Sequence, residues 1–313
     1  GWSHITSLKL NKRILFIGGS GLLAVNWANQ IMNDYDVHLG LHSRMVKFKD
    51  VVTVQLDTES TADLFQYFRV NHIDIVINCV GLTSVEECEL NPILAHQLNT
   101  FIPSRLASIC KDLEIKFIHI STDHLFSGNL AFTTEDQETD PQNVYGKTKL
   151  QGDLGVLKAN QEGIIIRTNF FGWGTSYRKS FSDFVIQSLR KSKKIDLFDD
   201  VYYTPILIDE LVTKVHGLLE VNASGVYNVC GNERVSKLEF GEKLATKFKL
   251  DLTLINRAKF MERKNLTIRP LDMSLSNRKL NEMLGNSVTS LDEQFNKLYV
   301  QENSGHNKKI IEL

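Results

Sequence analysis

A tyrosine and a lysine stand four residues apart in the stretch "VYGKTKL", residues 144–150. In a helix this spacing places Tyr145 and Lys149 on the same face. A free phenol has a pKa of about 10, too high for efficient proton exchange near neutrality, and a nearby ammonium group lowers that pKa by stabilising the phenolate. The pair therefore has the chemistry of a proton donor and the cation that tunes it. The same pair is also common on ordinary helix surfaces, so the rest of the chain must decide between the two interpretations.

A glycine-rich stretch, "GGSGLLA" (residues 18–24), fits the dinucleotide fingerprint as Gly19-x-Gly21-x-x-Ala24, and also a second spacing that starts at Gly18. Such glycines permit a tight turn and let a pyrophosphate approach the backbone N–H groups at a helix start. Glycines also cap ordinary strand–helix turns. Here an apolar run precedes the loop and a helical pattern follows it, so the sequence predicts a dinucleotide site.

The end of the second predicted strand, "LHSR" (residues 41–44), bears on which cofactor binds. A site for NAD usually has an acid here, which binds the ribose 2′-hydroxyl, but Asp36 lies at the opposite end of the strand. Ser43 and Arg44 would suit the 2′-phosphate of NADP(H), with NAD(H) as the alternative cofactor; Arg44 could equally be a solvated loop charge. Asp57, which closes the third predicted strand, is a candidate for the adenine amino group or a cap for the next helix.

Short apolar runs alternate with helical patterns from "RILFIGG" to "IKFIHIST", and "GIIIRTNFFG" and "GVYNVCG" are predicted to be further strands of the same sheet. A single long helix is predicted over residues 91–112, with Pro103 as a kink or break. The alternation predicts an α/β fold: a Rossmann-type doubly wound parallel sheet with a smaller C-terminal substrate-binding lobe. Ligands of such sheets bind at the carboxyl ends of the strands. We expect residues 11–168, with about 206–230, to form the NADP-binding domain, residues 169–205 and 231–295 the lobe, and residues 296–313 a tail.

The charge balance, 36 basic against 37 acidic residues, gives no electrostatic case for nucleic acid or a membrane as a partner. The first residues lack the apolar stretch of a signal peptide, so we expect a cytoplasmic protein. The charge balance favours a small molecule as its partner. Gly1 in place of Met suggests a trimmed or tagged start. A homodimer is a further expectation. The cysteines have no metal-ligand spacing and are expected to be reduced thiols, with no metal site; they are Cys79, Cys88, Cys110 and Cys230.

Several motifs occur together in a characteristic order: "GGSGLLA", "NCVG", "LNT" around Asn99, "ISTDHLFSG", "EDQETDPQNVYGKTK" and "RTNFFG". Jointly they resemble the extended short-chain dehydrogenase/reductase superfamily. Within it, "GLTSVEECE", "DDVYYTPILIDELV" and "IRPLDMSLSNRKL" are similar to the dTDP-4-dehydrorhamnose reductase family of sugar-nucleotide reductases. This resemblance implies an oxidoreductase that uses NADPH to reduce the keto group of a nucleotide-activated 4-keto-6-deoxy sugar by hydride transfer.

The resemblance also implies roles for individual residues. Tyr145 matches the general acid that protonates the substrate oxygen, and Lys149 matches the residue that binds the nicotinamide ribose and lowers the tyrosine pKa. Thr122 matches the hydroxyl that hydrogen-bonds the reacting carbonyl, although a strand-end threonine could also satisfy only local backbone. The implied cofactor-binding residues are Gly18, Gly19, Ser20, Gly21, Leu22, Leu23, Ser43, Arg44, Asp57, Val80, Gly81, Asn99, Tyr145 and Lys149.

The implied substrate-binding residues are Glu86, Asp123, His124, Tyr202 and Arg269. Arg269 would clamp the phosphates of a nucleotide sugar, or else form a salt bridge between lobes. His124 stands where the family commonly has tyrosine, as a titratable ring near the substrate or as a filler of the same aromatic slot. Tyr203 and Ile206 replace a glycine and a threonine and would add bulk beside the sugar pocket, which weakens a rhamnose assignment.

Two other functions stay open on the sequence. An epimerase or dehydratase of nucleotide sugars would hold NAD tightly and consume none of it. A non-catalytic dinucleotide-binding subunit would resemble the regulatory subunit of methionine adenosyltransferase. The "LHSR" stretch and the intact Thr122, Tyr145 and Lys149 favour the reductase over both.

Overall fold

A parallel sheet of seven strands lies at the centre of residues 12–313, which are the residues described by the computed structural model. Residue 11, the expected start of the cofactor domain, and the N-terminal residues that bear on processing lie outside the described residues. The strands run in the order β11-β6-β5-β4-β1-β2-β3. Their bounds are β1 Arg13–Ile17, β2 Asp36–Leu41, β3 Val52–Gln55, β4 Ile75–Asn78, β5 Lys116–Ile120, β6 Ile164–Arg167 and β11 Gly225–Asn228.

Helices cover both faces of this sheet and build much of the remaining chain. No helix within residues 12–313 combines the length and apolar character that crossing a bilayer requires. The helices are α1 Leu22–Ile31, α2 Thr61–Val70, α3 Val85–Leu90, α4 Pro92–His96, α5 Ile102–Asp112, α6 Val144–Ala159, α7 Phe181–Arg190, α8 Ile208–Glu220, α9 Lys237–Lys247, α10 Arg278–Leu284, α11 Leu291–Asn303 and α12 His306–Ile311.

The apolar strands separate two layers of core because successive side chains point to opposite faces. In β1, Ile14 and Phe16 join the core beneath α1 and α8, whereas Leu15 and Ile17 join the core beneath α2 and α5. Strand β6 alternates in the same way. Strands buried on both faces are typical of parallel sheets covered by helices, and the predicted fold class is confirmed.

The helix predicted over residues 91–112 is interrupted. Helix α4 passes into a π-helical turn, Gln97–Phe101, before α5 begins at Ile102. The irregularity therefore lies just before Pro103, which sits in the first turn of α5, where a missing N–H is tolerated. The π turn buries Asn99, whose amide nitrogen donates to the Leu82 carbonyl at 3.1 Å. Turns of this kind are frequent at functional sites.

Within residues 12–313, the strands outside the central sheet form only short pairs, and we call the region that contains them the second lobe. Its pairs are β7 Phe170–Phe171 with β10 Ile206–Leu207, β8 Ile195–Phe198 with β13 Ile255–Ala258, and β9 Tyr202–Tyr203 with β12 Val235–Ser236. The expectation that all of "GIIIRTNFFG" joins the central sheet is therefore wrong for β7, which pairs with β10 instead. An aromatic cluster holds the lobe together: the Phe240 ring lies 5.2 Å from Phe171, 5.3 Å from Phe295 and 5.9 Å from Tyr203.

Residues 296–313, the expected tail, comprise the end of α11 and all of α12, and both helices contribute side chains to packed cores. The expected boundary after residue 295 falls inside α11, where Leu298 is fully buried among the residues of the second lobe. Helix α12 buries Ile310 in the core beneath α1. An apolar side chain every three to four residues is enough to bury one face of each helix. The division of the rest into a cofactor domain and a lobe stays a prediction.

Candidate active site

The glycine loop joins β1 to α1 in the predicted dinucleotide turn. Gly18 has a φ of +77°, and a Cβ atom there would lie 2.9 Å from the Val80 nitrogen, so only glycine fits. A Cβ atom at Gly19 would lie 2.8 Å from that of Leu39. The first turn of α1 contains no acidic residue, and Gly21 offers no side-chain cap. Free N–H groups and the helix dipole therefore make this helix start suitable for a phosphate group.

A cavity of about 300 Å³ lies at the carboxyl edge of the sheet, beside the glycine loop. Residues that follow β1, β4, β5 and β6 line it together with the first two turns of α6. The structure thus brings together all three residues implied for catalysis and several implied for binding. The implied residues that line the cavity are Gly21, Leu22, Leu23, Val80, Gly81, Thr122, Asp123, His124, Tyr145 and Lys149.

Helix α6 presents Tyr145 and Lys149 to this cavity. Asn143 caps the helix start and accepts a hydrogen bond from the Gly146 N–H at 2.8 Å, which fixes where the first turn begins. Tyr145, Lys149 and Thr122 are 7%, 4% and 4% exposed. The Lys149 ammonium donates to the Ile120 carbonyl at 2.9 Å, at the end of β5. The expected proton donor, cation and hydroxyl therefore share one nearly dry site.

The electrostatics of the pair differ from the expectation that Lys149 lowers the pKa of Tyr145. Burial raises the pKa of the Tyr145 phenol, and a hydrogen bond with Thr122 opposes that rise. Burial lowers the pKa of Lys149, against the effect of Asp153 on the same helix. Desolvation therefore dominates the pKa of Tyr145, and Lys149, whose ammonium is bonded to the Ile120 carbonyl, is not among the groups that shift it. Tyr145 is held as a neutral phenol, the form that can donate a proton.

Asp123 and His124 form the wall beside Tyr145. Asp123 Oδ1 lies 2.9 Å from His124 Nδ1, and Asp123 Oδ2 accepts a hydrogen bond from Asn169 Nδ2 at 2.9 Å. The His124 ring meets the Tyr145 ring edge to face, with centroids 5.1 Å apart. Thr122 Oγ1 lies 3.3 Å from His124 Nδ1. His124 therefore packs on the Tyr145 ring and also keeps a polar link to the threonine.

Tyr203 and Ile206 do not add bulk to the cavity. Both side chains are buried in cores, and neither lines the cavity wall. The Tyr203 ring packs on Phe240, and the Lys237 ammonium lies 3.6 Å from the centre of the Tyr203 ring. The expectation was wrong because β9 turns the Tyr203 side chain into the core of the lobe, and β10 turns Ile206 into the core beneath α1 and α8.

Glu86 and Arg269 are paired with each other rather than directed into the cavity. Arg269 Nη2 donates to Glu86 Oε1 at 2.7 Å, and Thr267 donates to the same carboxylate through its N–H at 3.0 Å and its hydroxyl at 2.7 Å. The Thr267 bonds, with Arg269 as a weaker influence, lower the pKa of Glu86. Tyr202 also lies outside the cavity, with the Arg234 guanidinium 3.8 Å from its ring centre. The substrate contacts of Glu86, Arg269 and Tyr202 stay predictions.

Several implied cofactor residues lie around the cavity rather than in it. Gly18, Gly19 and Ser20 form the turn itself, and Asn99 is buried behind the wall. Ser43 and Arg44 are exposed on the loop after β2, and the Arg44 guanidinium lies 4.0 Å from the centre of the Tyr177 ring. Asp57 accepts the Glu59 N–H at 2.9 Å, whereas Ser60 is the N-cap of α2. The alternative role of Asp57 as the helix cap is therefore wrong.

Some residues that line the cavity were not predicted from the sequence. Thr168, Asn169 and Phe170 directly follow β6, so the rule for carboxyl ends would have found them in the motif "RTNFFG". Arg178 brings a cation to the cavity from the loop before α7, and no sequence signal pointed to it. The Tyr177 hydroxyl donates to the Ser20 carbonyl, which ties this loop to the glycine loop.

None of the four cysteines joins a disulfide, as expected of reduced thiols, and Cys88, Cys110 and Cys230 are buried. Burial raises the pKa of Cys79 to about 12 and that of Cys88 to about 11. These thiols are therefore protonated and unreactive near neutrality. Residues 12–313 place no three His, Cys, Asp or Glu side chains together in an arrangement able to hold a metal ion.

The family described as the RmlD substrate binding domain matches residues 12–303. The chain belongs to this family. A relative from Haloferax volcanii, described as the probable low-salt glycan biosynthesis reductase Agl14, is 33% identical over 241 residues, which cover 76% of this chain and 79% of the relative. Mouse methionine adenosyltransferase 2 subunit beta is 28% identical over 251 residues, covering 77% and 73%.

Solved structures agree with the RmlD assignment. A hypothetical dTDP-4-dehydrorhamnose reductase from Sulfolobus tokodaii has a TM-score of 0.79 at 27% identity, covering 90% of this chain and 98% of that one. The sugar-nucleotide reductase family, the Rossmann-type fold and the class of nicotinamide-dependent oxidoreductase, all predicted from the sequence, are confirmed.

Proposed function

We propose that this RmlD-family protein reduces the keto group of a nucleotide-activated 4-keto-6-deoxy sugar with NADPH. The observation that carries the proposal is the convergence of Thr122, Tyr145 and Lys149 on one cavity at the carboxyl edge of the sheet, beside the glycine loop. The reductase names of relatives support the reaction class. The identity of the substrate, a 4-keto-6-deoxy sugar linked to a nucleotide, is part of this proposal.

The cofactor fits the residues present. The Gly18 and Gly19 positions have no room for a side chain, and the uncapped start of α1 suits a diphosphate. Arg44, on the loop after β2, would hold a 2′-phosphate, and Lys149 would hold the nicotinamide ribose. When bound, the nicotinamide supplies a hydride to the ketone carbon.

The chain's own residues handle the oxygen of the ketone. Thr122 donates a hydrogen bond that polarises the carbonyl, and Tyr145 gives its hydroxyl proton to the oxygen as negative charge develops there. Lys149 stabilises the phenolate that Tyr145 leaves behind. The nearly complete burial of all three groups strengthens each of these interactions, because little water competes.

The test is NADPH oxidation with a dTDP-4-keto-6-deoxyhexose. Replacing Tyr145 by Phe removes the proton donor and should lower kcat by about 10²- to 10⁴-fold. NADPH affinity, measured by fluorescence titration of the same variant, should change little. Undiminished turnover by the variant would contradict the assigned role of Tyr145.

A non-catalytic regulatory subunit is the second candidate, because the match to mouse methionine adenosyltransferase 2 subunit beta covers as much of this chain as the reductase match. It would bind the dinucleotide, turn over no keto sugar and associate with a partner enzyme. The intact Thr122, Tyr145 and Lys149 favour the reductase.

A homodimer is also part of the proposal. Helices α3, α4 and α6 and the π turn after α4 expose large apolar side chains. Leu90 and Ile93 are 85% and 83% exposed, and Phe101 and Leu154 are more than half exposed. Sedimentation velocity of the protein, with Phe101→Ser as the disruptive variant, would test the association.

A further inference from the structure

A group of charged side chains lies buried next to the proposed catalytic pair, and the proposed mechanism uses none of them. Asp153 is one helical turn beyond Lys149 on α6 and is completely buried. Its Oδ2 accepts a hydrogen bond from Arg167 Nε at 3.3 Å, and its Oδ1 lies 3.6 Å from His119 Nε2. An unpaired carboxylate in such a place would be very costly, so its surroundings need an explanation.

The hydrogen bonds of His119 assign its neutral tautomer. Its Nδ1 lies 3.1 Å from the Asn78 amide nitrogen, while Asn78 Oδ1 accepts the Val80 N–H at 3.1 Å. The amide nitrogen can only donate, so Nδ1 accepts and the ring proton is on Nε2, on the side of Asp153. Burial, with Lys149 as a second influence, holds the pKa of His119 well below its usual range. His119 is therefore a neutral neighbour of Asp153.

Arg167 leaves part of the Asp153 charge available. Within residues 12–313, neither Asp153 Oδ1 nor His119 Nε2 has a partner at hydrogen-bond distance. Arg167 engages only Oδ2, so the second oxygen is not neutralised by a cation. Its negative field therefore acts on the next charge along the helix, which is Lys149.

Five titratable groups from four elements face the Lys149 ammonium: Asp153 and Tyr145 on α6, Cys79 after β4, Cys88 on α3 and His119 on β5. Tyr145 and both thiols are protonated and His119 is neutral, so Asp153 is the one carboxyl group among these five. Burial raises the pKa of Asp153, while Arg167, Ser121 and Lys149 oppose that rise and favour its anionic form. We propose that Asp153 is a positioning residue that holds Lys149 as an ammonium ion beside Tyr145. The role of Lys149 itself rests on the proposed function.

The experiment is the pH dependence of NADPH affinity, measured by fluorescence titration from about pH 6 to pH 10, because a charged Lys149 is needed to hold the cofactor ribose. In Asp153→Asn, the midpoint at which affinity is lost should lie at least about one pH unit below that of the wild type. In Lys149→Arg/Asp153→Asn the affinity should again resist high pH, since arginine keeps its charge. An unchanged midpoint in Asp153→Asn, or no recovery in the double variant, would overturn the proposal.

Asp153→Asn leaves Arg167 buried and unpaired, so it could fail to fold. Asp153→Asn/Arg167→Met removes both charges and should show the same lowered midpoint, because Arg167 is not among the groups that shift the pKa of Lys149. A purely structural role for Asp153 would lower thermal stability in these variants and leave the midpoint unmoved. The measurement uses no sugar, so a failure to reduce keto sugars would refute the proposed function without touching this result.

Discussion

The carboxyl edge of the central sheet and the second lobe are built by different means. At the sheet edge, the residues after β4, β5 and β6 meet in one cavity because parallel strands end at the same side. In the lobe, two- to four-residue strands pair across long sequence separations, and the Phe240 aromatic cluster holds them. The first arrangement follows from a regular rule of topology, whereas the second depends on contacts specific to this chain.

This difference separates the two sets of implied site residues. Thr122, Tyr145 and Lys149, which follow β5 or lie on α6, line the cavity as expected. Tyr202 and Arg269, which belong to the lobe, have protein partners instead: Arg234 over the ring of Tyr202, and Glu86 bound to Arg269. Variants at the sheet edge should therefore have large effects on activity, and variants in the lobe should have small effects.

After Tyr145→Phe, the largest effect is expected at Thr122. Thr122→Val keeps the shape but removes the hydroxyl that polarises the carbonyl, and kcat should fall by roughly 10²-fold or more. Thr122→Ser is the matched control and should retain most activity, because it keeps the hydroxyl. Steady-state NADPH oxidation measures both. Equal activity of Val and Ser variants would mean that the hydroxyl serves only the local backbone.

At the glycine loop, Gly18→Ala should weaken NADPH binding by about tenfold or more and destabilise the fold by about 1–2 kcal/mol from left-handed strain alone. The added carbon would also press on the Val80 nitrogen. Gly285 is a matched control, since it has a φ of +71° but no atom within 4 Å of the place that a Cβ atom would occupy. Gly285→Ala should destabilise the fold by a similar amount and leave NADPH affinity unchanged. A loss of NADPH affinity in Gly285→Ala would refute the explanation that Gly18 acts through its place in the glycine loop.

A smaller effect is expected where the lobe meets the substrate. If Arg269 leaves Glu86 to bind the phosphates of the nucleotide sugar, Arg269→Met should raise KM about tenfold with little change in kcat. Arg278→Met removes an exposed partner of Glu282 and is the control. If Arg269→Met has the same KM as the wild type, Arg269 does not bind substrate and serves only in the ion pair with Glu86.

The smallest effect is expected at Tyr202. Tyr202→Phe keeps the ring beneath Arg234 and removes only the hydroxyl, so KM should rise by roughly threefold, the value of one modest hydrogen bond. Competition by the free nucleotide diphosphate would show whether the loss concerns the sugar or the nucleotide. A loss of activity as large as that of Thr122→Val would contradict the expectation that variants in the lobe have smaller effects than variants at the sheet edge.

The sequence predicted what depends on periodicity and strand ends. The glycine loop, the strands and the position of Tyr145 and Lys149 on one helix follow from spacing. The π turn that buries Asn99, the partner of Arg269 and the approach of Arg178 to the cavity depend on contacts between distant segments. The raised pKa of Tyr145 could not be foreseen either, because it reflects burial, which the spacing of Tyr145 and Lys149 does not reveal.

The central claim is that one cavity holds a hydride donor and a proton donor on either side of a sugar ketone. The most direct test is to supply NADPH carrying deuterium at the transferable position of the nicotinamide and analyse the nucleotide-sugar product by mass spectrometry. We expect one deuterium per product molecule, at the carbon that bore the ketone. Product without deuterium, or cofactor binding with no product at all, would contradict it.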